Sequence, residues 1–290
     1  MSDKRKICIT TDCVCDLPDE MLKEDNIDLV YFYIETDTGR FRDVSEITAQ
    51  NIFDYLNNGG QKSITNAPEP DDFVKLFTEK LENYDEVIHI ATGSGISASV
   101  KNSKSAVEQM GSLGERVHVF DSGHLTTGMG HMVLKAAEMI RKGADNSESI
   151  ITELEKMRSM VSTSFMADSA DYLYHNGRVS KFVKAICGVL NIHPVLAMKN
   201  GILGLKAIQI GNYEKSALRY VRKELKTPNI KTDRLFITHA GCTASDIKMI
   251  KNEVSRIMKF DSVIVTKASA TVSGNSGPRT FGLLYVKENK

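Results

Sequence analysis

The chain of 290 residues carries 37 basic and 37 acidic side chains, so its formal net charge at pH 7 is zero. This balance argues against a nucleic-acid-binding protein, because phosphate binding normally needs an excess of positive charge. No apolar run reaches the roughly 18 residues of a membrane-spanning helix, and the first residues lack the apolar core of a signal peptide. We therefore expect a globular protein without membrane insertion that works in the cytoplasm.

Predicted strands alternate with predicted helices in the first half of the chain. Runs rich in β-branched residues predict strands over Lys6–Thr11, Asp28–Glu35, Glu86–Thr92 and Arg116–Phe120. Apolar residues at helical spacing, such as Phe73, Phe77 and Leu81, predict a helix after the second strand. Two further helices are predicted over 124–142 and 148–161. This alternation is typical of βαβ units, so we predict a mainly parallel sheet.

The second half contains a hairpin signal as well. Its predicted strands are Thr163–Met166, His193–Met198, Leu203–Ile210, Leu235–His239, Val263–Val265 and Thr280–Val286. Asn200-Gly201 stands between two of these runs, and Asn-Gly favours the type I′ turn of an antiparallel hairpin. We therefore predict an α/β fold of two domains, residues 1–162 with a mainly parallel sheet and residues 163–290 with a mixed sheet.

The segment Gly93–Ser99 is the strongest candidate for a ligand-binding loop. It follows a predicted strand, and open α/β sheets bind ligands beyond the carboxyl ends of their strands. Its glycines let backbone N–H groups approach a ligand. Ser97 stands where we expect the next helix to begin, an end that favours anions. The segment therefore predicts a site for a carboxylate or a phosphate.

A dinucleotide cofactor is the first alternative. Gly93, Gly95 and Ala98 fit the pattern G-x-G-x-x-A, and Asp121 ends the next strand, where a ribose-binding carboxylate is expected. The chain would then be an NAD(P)-dependent oxidoreductase. Against this alternative, the first strand ends in Asp12 instead of a glycine-rich turn.

Other catalytic and metal-binding patterns are missing from the sequence. There is no G-x-S-x-G elbow, and only His239 stands at the end of a strand as a catalytic histidine would. There is no Walker A motif that could hold ATP. The five cysteines do not show the spacing of zinc ligands, so we predict no metal site.

Short motifs are spread over nearly the whole chain. In chain order they are Thr11–Pro18, Phe41–Asp43 with Glu46–Thr48, Ser63–Pro68, Ser94–Ser99, Val119–Ser122, Tyr172–Ser180, Leu190–Leu196 and Gly274–Pro278. In their order and spacing these segments resemble the DegV family, whose corresponding patterns are TDS-x-x-DLP, YRDG…DIT, TTSQP, SSGLSGT, VxDS, YLxxGGRIS, LNIKPIL and GTHTGPG.

This resemblance implies a function as well as a fold. Members of the family act as fatty-acid-binding subunits of bacterial fatty acid kinase, with the acyl chain in a tunnel between two α/β domains. A separate ATP-dependent kinase then phosphorylates the carboxyl group, which gives an acyl phosphate for phospholipid synthesis. The resemblance therefore implies a substrate-binding protein that has no catalytic residue and no cofactor of its own.

The resemblance also directs attention to particular residues. We expect the ligand carboxylate to be bound by Thr65, Ser94, Ser97 and Asn275, because such donors satisfy a carboxylate without a buried countercharge. Arg178 and Asp12 are expected to support the head group or to dock the kinase. The expected tunnel residues are Phe165, Met166, Ile186, Val189 and Leu190.

One departure from the family pattern leaves a second alternative open. Asn275 stands where the family pattern has His, and an amide cannot become cationic. The chain could then be a lipid-binding module that is no longer coupled to a kinase.

Overall fold

The computed structural model describes residues 5–60, 63–177, 180 and 191–288. The strands of the first half are β1 (Ile7–Asp12), β2 (Asp28–Val30), β3 (Tyr33–Thr36), β4 (Gly39–Arg42), β5 (Ile64–Asn66), β6 (Glu86–Ala91) and β7 (Val117–Asp121). The helices of this half are α1 (Asp19–Glu24), α2 (Ala49–Asn57), α3 (Pro70–Leu81), α4 (Ser99–Gln109), α5 (Thr126–Arg141) and α6 (Ser147–Arg158).

A four-stranded parallel sheet in the order β2-β1-β6-β7 forms the centre of this half. All six side chains of β1 are buried. A strand that is covered on both faces reads as a continuous apolar run, as in parallel sheets of α/β proteins. The predicted parallel sheet is therefore confirmed.

The predicted strand Asp28–Glu35 is two strands in two different sheets. At Phe32 the backbone N–H donates to Cys13 Sγ (3.3 Å) and the carbonyl accepts from Asp43 N (2.9 Å), so the main chain leaves the first sheet. Strand β3 then pairs with β4 and β5 in a small antiparallel sheet. Strands β4 and β5 were not predicted from the sequence, because strands of three or four residues carry too little pattern to be recognised.

The second half contains a six-stranded mixed sheet. Its strands are β8 (Val161–Met166), β9 (Ile192–Lys199), β10 (Ile202–Ile210), β11 (Arg234–Ala240), β12 (Ser262–Lys267) and β13 (Thr280–Val286), in the order β10-β9-β8-β13-β11-β12. Its described helices are α7 (Asp171–His175), α8 (Tyr213–Glu224), α9 (Ala244–Ile257) and α10 (Ala270–Ser276). The predicted hairpin joins β9 and β10, with φ of 51° at Asn200 and 76° at Gly201. The predicted mixed sheet is confirmed.

Helix α5 joins the two halves into one hydrophobic core. Its buried residues Met129 and Met132 belong to a cluster that includes Ile90 of the parallel sheet and Leu284 of the mixed sheet. The expected boundary between residues 162 and 163 falls inside β8. We propose to keep the division into two domains with the boundary placed before Val161, which leaves β8 intact.

Two buried carboxylates of the first half hold the beginning of α10. Asp43 accepts hydrogen bonds from the backbone N–H groups of Ala270 and Thr271, both at 2.8 Å. Asp16 accepts from the N–H of Ser269, also at 2.8 Å. Carboxylates at a helix N-terminus satisfy N–H groups that lack partners within the helix. Helix α10 is therefore fixed in position by residues that are more than two hundred positions earlier in the chain.

The turn that aims the Asp43 carboxylate contains a strained residue. Val44 has a φ of 68°, in the left-handed region, which β-branched residues adopt at a considerable cost. Its N–H donates to Asp43 Oδ1 (2.7 Å) and to the carbonyl of Ile47 (3.1 Å), and these bonds hold the turn. The Val44 side chain is 42% exposed, so it adds little packing in return.

We predict that Val44→Gly stabilises the protein by about 1 kcal/mol. Glycine removes the energetic cost of the left-handed conformation, which is roughly 1–2 kcal/mol for a residue with a Cβ atom. Part of this gain is lost because glycine increases the conformational entropy of the unfolded chain. Urea unfolding of both proteins measures the difference, with Val44→Ala as the control that keeps a Cβ atom. A Val44→Gly variant less stable than the wild type would contradict the strain argument.

The second prediction concerns the pH dependence of stability at Asp16. Burial raises the pKa of Asp16 well above its ordinary value, and the nearby Asp43 charge raises it further. A raised native pKa contributes stability that is fully present below about pH 4, the unfolded value, and that is lost as pH rises through the native pKa. Since Asp16 Oδ2 has no hydrogen-bond partner among the described residues, an amide nitrogen placed there faces no opposing donor.

We therefore expect Asp16→Asn to gain stability relative to the wild type as the pH rises from about 4 to about 8, by about 1.4 kcal/mol for each unit of pKa shift. Urea unfolding at several pH values measures this difference. Asp43→Asn is the contrasting variant, because both Asp43 oxygens accept N–H groups and an NH₂ there would face a donor. A difference between Asp16→Asn and the wild type that does not change with pH would refute the assignment.

Candidate functional site

A cavity of about 480 Å³, here called the central cavity, is bounded by residues from both halves of the chain. Its described lining contains no Asp, Glu, Lys or Arg side chain. The apolar part consists of Val14, Phe32, Ala67, Ile96, Ala98, Leu125, Phe165, Leu173, Leu203, Ala240, Ala268, Val272 and Leu284. The polar side chains are Thr65, Asn66, Thr92, Ser94, Ser97, Thr126, Thr163, Ser164, Thr238, His239, Thr271, Asn275, Ser276 and Thr280. This composition suits a largely apolar ligand with a small polar head group.

Asp12 organises the loop that follows β6. Its carboxylate, which is completely buried, accepts hydrogen bonds from the N–H of Thr92 and from the hydroxyl of Ser99, both at 2.7 Å. It therefore connects the end of β6 with the first residue of α4. Of the two roles expected for Asp12, support of the head-group loop fits this position, and docking of a kinase does not, because no part of the side chain reaches the surface.

The glycines of the Gly93–Ser99 segment make room for other parts of the chain. A Cβ atom on Gly93 would lie 2.9 Å from the backbone carbon of Gly123, and one on Gly95 would lie 2.2 Å from the carbonyl oxygen of Gly201. Asp121, the expected ribose ligand, accepts hydrogen bonds from the Ser94 N–H, the Ser94 hydroxyl and the Gly123 N–H. The space beside Gly93 and Gly95 is filled by other parts of the backbone, and the Asp121 carboxylate is already hydrogen-bonded within the protein. This geometry argues against a bound dinucleotide.

Thr65 and Asn275 come together across the cavity wall. The Asn275 amide nitrogen donates to Thr65 Oγ1 (3.2 Å) and to the carbonyl of Thr271 (2.7 Å). The Thr271 carbonyl fixes the orientation of the amide, because the opposite orientation would bring two oxygens together. Since Thr65 Oγ1 accepts this bond, its hydroxyl hydrogen remains available to a ligand. Asn275 Oδ1 is buried and has no partner among the described residues.

The two serines of the loop differ in what they offer to a ligand. Ser97 Oγ accepts from the N–H of Ser99 (3.1 Å), and its hydroxyl hydrogen has no acceptor within the described part of the chain. The Ser94 hydroxyl donates to Asp121 Oδ2 (2.5 Å), so Ser94 would have to exchange this acceptor in order to bind a carboxylate. Helix α4 begins at Ser99, two residues after the expected start.

Of the expected tunnel residues, Phe165 lines the central cavity and Met166 does not. Successive side chains of a strand point to opposite faces of the sheet. Met166 is completely buried on the other face of β8, where it packs in a core with Val195 and Phe281. Met166 therefore does not belong to the lining of the central cavity. Arg178, Ile186, Val189 and Leu190 lie outside the described residues.

Sequence reasoning missed several lining residues, of which Thr126 is the most notable. It is the first residue of α5, is buried, and has a φ of 51°, a costly backbone conformation for a β-branched residue. Such strain is concentrated at ligand sites in proteins. Its position shortly after β7, at the carboxyl edge of the sheet, is the signal that could have identified it. Phe32, Leu173 and Leu203 had no local signal, since their role depends on how the halves pack.

The structure does not equip His239 and Cys242 for nucleophilic catalysis. His239 Nδ1 accepts from the N–H of Cys242 (3.3 Å), and burial lowers the pKa of the imidazole. Burial raises the pKa of the Cys242 thiol to about 12, so the thiol stays protonated near neutral pH. Within the described residues no group of His, Cys, Asp and Glu side chains could hold a metal ion. In the same part of the chain, every helix is too short or too polar to cross a membrane.

Known structures share this architecture. A fatty-acid-binding DegV family protein from Thermus thermophilus superimposes with a TM-score of 0.88 at 26% identity, covering 98% of this chain and 100% of its own. DegV from Bacillus subtilis, described as a fatty acid binding protein, matches the fold with a TM-score of 0.81 at 24% identity, covering 98% of this chain and 100% of its own.

Sequence comparison gives the same result. A DegV domain-containing protein of Caldanaerobacter subterraneus subsp. tengcongensis is 28% identical over 284 residues, which are 97% of this chain and 98% of that protein. The sequence model described as "Uncharacterised protein, DegV family" matches residues 6–288. This match covers nearly the whole chain and agrees with the ordered motifs and with the fold, so the chain belongs to the DegV family.

Proposed function

We propose that this protein binds a long-chain fatty acid in the central cavity and presents its carboxyl group to a separate ATP-dependent fatty acid kinase. The observation that carries the proposal is the central cavity, whose described lining contains no Asp, Glu, Lys or Arg side chain. In the described structure, Thr65 and Ser97 each keep a hydroxyl hydrogen for a ligand. The similarity to the fatty-acid-binding protein from Thermus thermophilus supports it.

The cavity matches the two parts of a fatty acid. Its volume of about 480 Å³ lies within the range of small-molecule sites, roughly 300–1,000 Å³. The apolar side chains, among them Phe32, Phe165 and Leu203, suit the acyl chain. A carboxylate that is removed from water needs donors in compensation, and the hydroxyls of Thr65 and Ser97 are suited to this role.

Ser94 and Asn275 complete the proposed head-group site in different ways. Ser94 is expected to act after exchanging its Asp121 acceptor for the ligand. Asn275 holds Thr65 in position, and its unpartnered Oδ1 is an acceptor for a carboxyl O–H or for a water molecule at the head group. We also propose that Arg178 contacts the head group indirectly or docks the kinase.

In the proposed reaction the kinase, and not this protein, supplies the catalytic groups. A carboxylate oxygen of the fatty acid attacks the γ-phosphorus of ATP, the bond to the bridging oxygen breaks, and ADP leaves with the electron pair. The acyl phosphate then remains on the binding protein. We expect the protein to work in the cytoplasm, where ATP is available to the kinase.

The Asn275 environment supports a second candidate function. The amide nitrogen is engaged by Thr65 and Thr271, and the amide offers no positive charge to a phosphoryl group. A protein with this site could bind fatty acids without serving a kinase. Incubation of the fatty-acid-loaded protein with a DegV-partner kinase and ATP separates the two functions, because acyl phosphate forms only in the coupled system.

The first test of fatty acid binding is native mass spectrometry of the gently purified protein. We expect a bound long-chain fatty acid that is released on denaturation. If the protein is recovered empty and takes up neither stearic nor vaccenic acid, the proposal is wrong.

The second test locates the carboxyl group. Thr65→Val and Ser97→Ala each remove one donor, and we expect each to weaken fatty acid binding by about 1–3 kcal/mol. Isothermal titration with stearic acid measures the loss. Thr36→Val is a matched control, because Thr36 is a threonine of β3 outside the lining of the central cavity. Unchanged affinity in both site variants would show that the carboxyl group lies elsewhere.

A further inference from the structure

A second cavity, of about 1020 Å³, adjoins the central cavity at the head-group loop. Ser94, Gly95 and Thr163 line both cavities. The second cavity also contains four cationic side chains, Arg158, Lys199, Lys206 and Lys287, and we call it the basic cavity. They come from α6, from the β9–β10 hairpin and from the residue that follows β13.

Three of the four cationic side chains in the basic cavity form no ion pair with a described residue. Lys206 is paired with the buried Glu224 at 2.6 Å. Arg158, Lys199 and Lys287 have no carboxylate within ion-pair distance among the described residues. The acidic side chains of the lining are Asp121 and Glu155, and both oxygens of Asp121 already accept hydrogen bonds from the loop. The four cationic side chains outnumber the three carboxylates Asp121, Glu155 and Glu224 by one, so one net positive charge remains beside the loop.

Arg158 packs against its neighbours without an ion-pair partner among the described residues. Its guanidinium carbon lies 4.7 Å from the centroid of the Phe120 ring. A Cβ atom on Gly123 would lie 3.5 Å from Arg158 Cδ, so the side chain packs against the turn after β7. Arg158 Nε is buried and has no hydrogen-bond partner in the described structure. A buried donor on a charged group costs free energy when it is unpaired, and an anion would remove this cost.

The neighbouring histidine is consistent with an uncompensated charge. His124 Nδ1 pairs with the Thr163 hydroxyl (2.9 Å) and Nε2 with the carbonyl of Arg158 (2.9 Å). Burial lowers the pKa of His124, and the positive charge of Arg158 lowers it further. His124 is therefore neutral near pH 7 and does not compete with Arg158 for an anion.

We propose that the basic cavity binds the phosphoryl group of a long-chain acyl phosphate, with Arg158 as its main ligand. This inference rests on the proposed function, because the acyl phosphate is the product of that reaction. A phosphoryl group carries up to two negative charges and three acceptor oxygens, which match a guanidinium fork and nearby lysines. Because Ser94 and Gly95 line both cavities, a phosphoryl group attached to a carboxyl group bound at this loop would extend toward the basic cavity. The protein would thus hold its product by a site that the free fatty acid does not use.

The test compares two ligands that differ in the phosphoryl group. One is stearic acid, and the other is a β-ketophosphonate of the same chain length, in which CH₂ replaces the bridging oxygen of the acyl phosphate. We expect Arg158→Gln to weaken phosphonate binding roughly 10- to 100-fold, the equivalent of a charge-assisted hydrogen bond. The affinity for stearic acid should stay within about 2-fold of the wild type, because the carboxyl group does not use this site.

Two further variants guard against a purely structural effect. Lys223→Gln removes an exposed cation on α8, outside the lining of the basic cavity, and should leave both affinities unchanged. Arg158→Lys keeps the charge without the planar fork and should recover part of the phosphonate affinity. Thermal unfolding of each variant verifies that the fold is retained.

The possible results separate this inference from the function on which it rests. If Arg158→Gln lowers the affinity for both ligands equally, or lowers neither affinity, the phosphoryl site is overturned while fatty acid binding stands. If the wild-type protein binds stearic acid but not the phosphonate, the phosphoryl site is likewise overturned while fatty acid binding stands. A wild type that binds neither ligand overturns the proposed function together with the phosphoryl site.

Discussion

The hydrogen bonds that Asp16 and Asp43 accept from the N-terminus of α10 are the constraint on which the central cavity depends. They join loops of the first half to a helix near the end of the chain, and this helix carries Asn275. Because the Asn275 amide in turn donates to Thr65, the position of a proposed head-group donor is set by two buried carboxylates. Burying these charges and straining the backbone at Val44 both cost free energy. The fixed relative position of the two halves requires this cost.

A third carboxylate, Asp12, has the same role on the other side of the cavity. It holds the loop after β6 to the beginning of α4. All three acidic residues belong to motifs at the carboxyl edges or turns of the first half, yet none of them lines the central cavity. Their carboxylates organise the backbone around a cavity whose described lining contains no Asp, Glu, Lys or Arg side chain. In the proposed fatty acid site, hydroxyl groups of this lining donate to the carboxyl group.

Much of the secondary structure could be predicted from local patterns. The strands β1, β6 and β7 lie in runs rich in β-branched residues. The Asn200-Gly201 hairpin requires only two residues with positive φ. Strands β4 and β5 could not be found in this way, because they exist through their pairing with β3. Similarly, alternation predicts that Phe165 and Met166 face opposite sides of β8, but only the packed structure shows which side adjoins the cavity.

The sequence by itself determined the α/β class, the order of the two sheets, the family motifs and the polar residue types near the ligand site. These features depend on neighbouring residues, whose spacing is visible along the chain. The tertiary structure alone decided which donors are available. The Ser94 hydroxyl is engaged by Asp121, 27 positions away, and Thr65 meets Asn275 across 210 positions. Hydrogen bonds of this kind join residues that only the packing of the two halves brings within 3 Å or so of each other, and no local pattern encodes them.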